Sequence, residues 1–243
     1  MTASLASYVS RVSRARADAP KRTAPSHALL VREVGAFAYM RYMAAFGRAV
    51  PMTDRGEGTP VMVIPGFMAS DASTARMRRS LADAGFAVHG WGLGRNRGVT
   101  ADMLELMDAR MDATGVDGPV TLVGWSLGGL IAREYAKHAP DRVSRVITLG
   151  SPFSGSLRAN NAWRAYEYIA GHPVDRPPVT VRLQEKPSVH TIACWSARDG
   201  VVSPASARGG AHERDLALEL ECSHMAFVAH PKAIRAVAEL ILA

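Results

Sequence analysis

The chain has 243 residues, 48% of them hydrophobic and 21% charged, which is enough apolar material for one large core and excludes a disordered or fibrous polypeptide. It holds no run approaching the roughly 18 apolar residues of a membrane span and no apolar stretch near its start of the kind a secretory signal carries, so a cytoplasmic protein is expected. The net charge of +7 is concentrated in residues 1 to 48, where Arg11, Arg14, Arg16, Lys21, Arg22, Arg32, Arg41 and Arg48 face only Asp18 and Glu33. The remainder is close to neutral, which argues against a nucleic-acid enzyme, whose cations would line the body of the fold.

Residues 1–58 read as a basic helical N-terminal extension. Within it, Leu29, Leu30, Val34, Phe37, Met40 and Met43 recur at helical spacing over residues 26–47, an apolar stripe expected to pack onto the protein's own core. The basic leader offers at most a weak contact with an anionic membrane surface. From residue 59 onward strand-like and helix-like segments alternate, the pattern of a parallel sheet covered by helices on both faces. Strands are expected at 59–64, 86–91, 119–123, 143–149, 189–195 and 216–222. Helices are expected at about 73–84, 100–111, over the stretch 130–136 and at 231–242, the last with Pro231 in its first turn. Residues 154–187 break this rhythm with one helix, Ala162 to Ile169, and a proline-rich connection, and they stand where a lid is inserted.

The strongest local signal is Gly124-Trp125-Ser126-Leu127-Gly128, which follows the β-branched run Pro119-Val120-Thr121-Leu122-Val123 and opens the amphipathic stretch Leu130 to Ala136. Strand, sharp turn and helix around a Gly-x-Ser-x-Gly pentapeptide describe a nucleophile elbow, whose strained backbone thrusts the serine hydroxyl above the sheet edge. In motif type, order and spacing the chain resembles the α/β-hydrolase superfamily over residues 59–243. Gly150-Ser151-Pro152-Phe153-Ser154-Gly155-Ser156 is similar to the Gly-Ser-Pro-His-x-Gly-Ser segment of bacterial triacylglycerol lipases, and Pro65-Gly66-Phe67 to their oxyanion loop. Phe153 and Pro65 each replace a histidine of that pattern, which favours an esterase over a long-chain lipase. The resemblance implies an α/β-hydrolase fold: a mostly parallel sheet of about six strands with helices on both faces, here with a helical N-terminal extension and a small lid insertion.

The same resemblance puts the remaining catalytic groups in the order Ser, Asp, His. Asp199 follows a predicted strand in Ser196-Ala197-Arg198-Asp199-Gly200, and His224 follows the last strand; Asp175 and His230 are the competitors. In this reading Ser126 is the nucleophile, His224 the base and Asp199 the acid that orients it, with the backbone N–H groups of Phe67 and Leu127 facing the oxyanion. Met68, Trp91, Trp125, Phe153, Trp163 and Met225 are candidates for an apolar substrate pocket. Arg95 and Arg97 either face the same rim and bind an anionic substrate group or form a solvated loop. Cys194 and Cys222 read as buried thiols, with a disulfide between them left open. No metal-ligand spacing is present, and neither metal nor cofactor is expected.

The function implied is a serine hydrolase cleaving carboxylic esters of apolar groups through an acyl-enzyme. An acyltransferase, thioesterase or amide hydrolase would use the same three residues, and a non-catalytic binder would share the fold. A dehalogenase-like reaction is disfavoured, since the nucleophile position holds serine instead of aspartate.

Overall fold

Six parallel strands form one sheet in the order β2-β1-β3-β4-β5-β6: β1 Pro60–Ile64, β2 Ala87–Gly90, β3 Val120–Trp125, β4 Val143–Leu149, β5 His190–Trp195 and β6 Leu216–Glu219. The structure, a computed structural model, describes residues 23–53 and 55–243. The basic residues Arg11, Arg14, Arg16, Lys21 and Arg22 lie outside the described residues. The helices are α1 His27–Phe46, α2 Ala75–Asp83, α3 Met103–Asp112, α4 Leu127–His138, α5 Trp163–Ala170, α6 Pro204–Arg208 and α7 Pro231–Leu242. Short 3₁₀ turns occupy Pro140–Arg142 and His224–Ala226. Strands β2 and β6 are shorter than expected, four residues each, and both are sheet edges, where only one neighbour supplies the ladder.

Central strands are apolar on both faces because helices cover both. Every residue of β3 is buried, and along β1 the side chains alternate between two cores. Val61 and Val63 join Val123, Ile147 and Ile192 in one core, with Met40 of α1, Met77 and Leu81 of α2 and the apolar face of α7. Met62 and Ile64 point the opposite way, toward Met103, Met107 and Met111 of α3 and Ile131 and Tyr135 of α4. The strand order reverses between β1 and β3, so their carboxyl ends flank the crevice in which open α/β sheets bind ligands. Ser126 is the residue immediately after β3.

Helix α1 differs from the sequence expectation in which face it buries. Met40 and Met43 of the expected stripe meet the core, but Val34 and Phe37 are 72% and 50% exposed, and Glu33 and Ala44 take places on the inner face. Apolar residues surround this helix on all sides, so the stripe alone did not define its inner face. That face is chosen by packing against α2 and the His224–Ala226 turn. The end of α1 is held by Arg79, which donates to the carbonyls of Ala44 and Gly47 at 3.0 and 2.9 Å and so satisfies acceptors the last turn leaves open. Among the described residues no helix is long and apolar enough to cross a membrane.

Candidate active site

Ser126 has φ 55° and ψ −121°, a conformation costing a non-glycine residue about 1–3 kcal/mol that persists only where the surroundings enforce it. Here they do. The Ser126 N–H donates to the Leu149 carbonyl at 2.8 Å, and the Ser126 carbonyl accepts from the Gly129 N–H at 3.0 Å, tying the turn to β4 on one side and α4 on the other. The flanking glycines are required by close approach. A Cβ on Gly124 would lie 2.4 Å from the Gly128 carbonyl oxygen, and one on Gly128 would lie 2.3 Å from the Ile64 carbonyl oxygen.

Asp199 and His224, nominated from loops that follow β5 and β6, meet. The His224 Nδ1 lies 2.8 Å from Asp199 Oδ2, with His224 only 2% and Asp199 1% exposed. Asp199 Oδ1 accepts the N–H groups of Val201 and Val202 at 2.8 and 2.7 Å, so both carboxylate oxygens are committed and the side chain is locked. A carboxylate on Nδ1 selects the tautomer with its proton there, leaving Nε2 as an acceptor. The histidine stands beside the elbow: its carbonyl accepts from Trp125 Nε1 at 3.1 Å, and the two rings lie 5.8 Å apart. Burial disfavours a charged His224, but the charge and hydrogen bond of Asp199, with the charge of Glu33, outweigh it and raise the imidazole above its ordinary value of 6.5.

Two residues not nominated for the site shape it. Gly150 has φ 58°, and a Cβ there would sit 3.0 Å from Asp199 Oδ2 and 3.1 Å from His224 Nδ1, so the glycine clears the space for the pair. Asn96, flanked by Arg95 and Arg97 in what reads as a solvated loop, is fully buried. Its Nδ2 donates to the Pro65 carbonyl at 2.8 Å, and its carbonyl accepts the Met68 N–H at 2.7 Å. Asn96 thereby holds the Pro65-Gly66-Phe67 turn against the elbow, where a Cβ on Gly66 would lie 3.1 Å from Ser126 Cβ.

The competing residues have other partners. Asp175 is an exposed partner of Arg158, and His230 accepts the Lys232 N–H at the start of α7. Arg95 is exposed and donates to the Met68 carbonyl. Both cysteines are free and buried, and burial pushes the Cys194 thiol up to about 12.

Ser126 and Leu127 open into an apolar cavity roofed by the 154–187 segment, with Leu130 and Ile131 on its floor and Leu157, Trp163, Val181 and Leu183 overhead. This corrects the pocket expected from sequence. Of its six candidates, only Trp163 lines the cavity. Trp91 and Trp125 turn into the two cores, each spending its indole N–H on a backbone carbonyl, of Gly94 and His224 respectively. Phe153 is buried under the Arg133 guanidinium, 4.1 Å from its ring centre. Met225 packs against core residues, and Met68, at φ 59°, lies on the surface side of its loop. Aromatic residues at strand ends seal the cores, whereas the cavity is lined mostly by aliphatic residues of α3, α4 and the lid, with Phe67, Trp163 and Tyr166 among them.

Comparison with known proteins agrees with this architecture. Residues 59–170 match the family described as alpha/beta hydrolase fold. Two solved structures align over most of the chain: one from work on LipS and LipT, two metagenome-derived lipolytic enzymes (TM-score 0.58, 18% identity, 80% of this chain and 99% of that one), and the monoacylglycerol lipase of Paleococcus ferrophilus (TM-score 0.56, 17% identity, 76% and 96%). The chain has the α/β-hydrolase fold. In sequence the chain is 32% identical over 117 residues to the pimeloyl-[acyl-carrier protein] methyl ester esterase of Photobacterium profundum, and 36% identical over 114 residues to that of Aliivibrio salmonicida. The matches cover 46% and 45% of this chain and 44% and 41% of those esterases, so the chain spans less than half the length of either relative.

Proposed function

We propose that this α/β-hydrolase is a serine esterase that cleaves carboxylic esters of apolar acyl or alkyl groups. The observation that carries the reading is the buried Asp199–His224 pair beside a strained Ser126 that opens onto an aliphatic cavity. His224 Nε2 takes the hydroxyl proton as Ser126 Oγ attacks the ester carbonyl, and Asp199 stabilises the imidazolium that forms. The N–H groups of Phe67 and Leu127 face the oxyanion; His224 then returns its proton to the departing alcohol, and water releases the acyl group from Ser126 by the same route. The names of the two sequence relatives, both methyl ester esterases, support ester cleavage over the other acyl-transfer reactions.

The cavity sets the preference. Val181 lies in its lid-side wall, and Val181→Trp is expected to reduce kcat/KM for octanoyl p-nitrophenyl esters by about ten-fold or more, since each excluded methylene is worth about 1–3 kcal/mol. Acetyl and butyryl esters should be turned over within about two-fold of wild type. An unchanged chain-length series would place the acyl group outside this cavity. The base must be neutral to accept a proton, so a raised His224 pKa moves the acidic limb of kcat/KM upward. Activity is expected to fall as pH drops through a value above 6.5; a limb below it would show that burial outweighs Asp199 and Glu33 at His224.

A further inference from the structure

The mechanism above uses Asp199 and His224 and leaves a second buried acid beside them unassigned. Glu33 of α1 is 4% exposed, and its carboxylate touches both loops that carry the pair. Glu33 Oε1 accepts the N–H of Gly200 at 2.9 Å and that of His224 itself at 2.7 Å; Oε2 accepts the N–H of Met225 at 3.1 Å. Gly200 is the residue after the acid, and Met225 is the residue after the base. One side chain from outside the sheet thus joins the backbone at the end of β5 to the backbone beyond β6.

The surroundings are built for this contact. A Cβ on Gly200 would lie 2.4 Å from the Leu29 carbonyl oxygen and 2.8 Å from Glu33 Cγ, so the acid loop is pressed directly against α1. Asn161 Nδ2 donates to the carbonyls of both Pro25 and Gly200, at 3.1 and 2.8 Å, fixing the entry of α1 to the same loop. A carboxylate in an apolar interior is costly unless its lone pairs are taken up, and three backbone N–H groups do that here. Burying an acid behind a histidine to satisfy three amides is a poor way to gain stability alone, since apolar packing at such sites often serves as well.

We propose that Glu33 is a positioning residue of the Ser126-His224-Asp199 site: it clamps the acid loop to the histidine loop and places a second negative charge behind the imidazole. The proposal rests on the esterase reading. The titratable and charged groups around His224 are Asp199 from the loop after β5, Glu33 from α1 and the Cys222 thiol at the end of β6, which burial keeps protonated, with exposed Arg198 acting on that thiol. A glutamine at 33 keeps one acceptor, but its amide presents donors where Oε2 now accepts from Met225, so both the charge and one clamp are lost.

The test compares wild type with Glu33→Gln and Glu33→Asp in three measurements: kcat and KM on a p-nitrophenyl ester, the pH profile of kcat/KM, and the NMR titration of the His224 ring, which needs no turnover. Glu33→Gln is expected to lower kcat roughly ten- to a hundred-fold, the scale of a small misplacement of catalytic groups, with KM nearly unchanged. Its acidic limb and its His224 titration should both move to lower pH. Glu33→Asp keeps the charge on a shorter arm, so it should keep the titration and lose kcat. A folded Glu33→Gln with wild-type kcat and an unmoved His224 titration would overturn the proposal; should that variant not fold, wild-type kcat in Glu33→Asp would overturn it. If wild type neither labels with a fluorophosphonate nor hydrolyses esters, the esterase reading fails by itself. The His224 titration in Glu33→Gln then still decides whether Glu33 acts on the histidine.

Discussion

Ser126→Ala is expected to abolish fluorophosphonate labelling and to lower p-nitrophenyl ester turnover by about 10⁴-fold or more, the loss seen when an activated serine is removed from a working triad. The reason is local. Ser126 lines the cavity and directly follows Trp125, whose ring lies 5.8 Å from that of His224, the partner of Asp199. Alanine keeps the backbone hydrogen bonds from Ser126 to Leu149 and from Gly129 to Ser126, so the thermal midpoint should hold within about 2 °C. Residual catalysis above background is anticipated from the oxyanion groups and binding alone. Full labelling of the alanine variant would place the nucleophile elsewhere and remove the proposed mechanism.

Gly128→Ala should produce the largest loss of stability. Its Cβ would sit 2.3 Å from the carbonyl oxygen of Ile64 and 2.7 Å from that of Pro65, both main-chain atoms at the end of a central strand. Neither can move unless α4 lifts from β1 or the Pro65-Gly66-Phe67 turn shifts. Overpacking a well-filled interior costs typically about 1–3 kcal/mol, and a main-chain collision belongs at or above the upper end. For a chain of this size that corresponds to a fall in thermal midpoint of about 6–12 °C. Gly115→Ala is the control. Gly115 has φ 66° with nothing within 4 Å of a Cβ, so its cost is conformational strain of about 1 kcal/mol. Equal midpoints for the two variants would show that the glycine after the nucleophile is not held against β1 as described. Even if Gly128→Ala folds, its activity should fall, because the same shift displaces the N–H groups of Phe67 and Leu127.

What could be read from residues in order was what depends on neighbours in the chain. Alternating strand and helix periods define the parallel sheet, and the pentapeptide at 124–128 marks the elbow because its glycines answer a collision between adjacent elements. Asp199 and His224 were legible for a similar reason: each lies in the loop that follows a strand, and the carboxyl ends of parallel strands converge on one edge. The pocket was not legible. Its walls come from α3, α4 and the lid, elements far apart in the chain, while Trp91 and Trp125 turn back into the cores. The roles of Glu33, Asn96 and Gly150 at the site were not legible either, although Gly150 opens the lipase-like segment. A glutamate on a helix that is apolar all round, an asparagine between two arginines and a glycine after a strand each have an ordinary local reading. Their roles arise from contacts with residues far along the chain: Glu33 with His224, Asn96 with Pro65, Gly150 with Asp199. Periodicity and turn chemistry determined which elements form, because those are energies of adjacent residues. Which face of α1 turns inward, and so which carboxylate stands behind the histidine, was decided only when the sheet closed the distance.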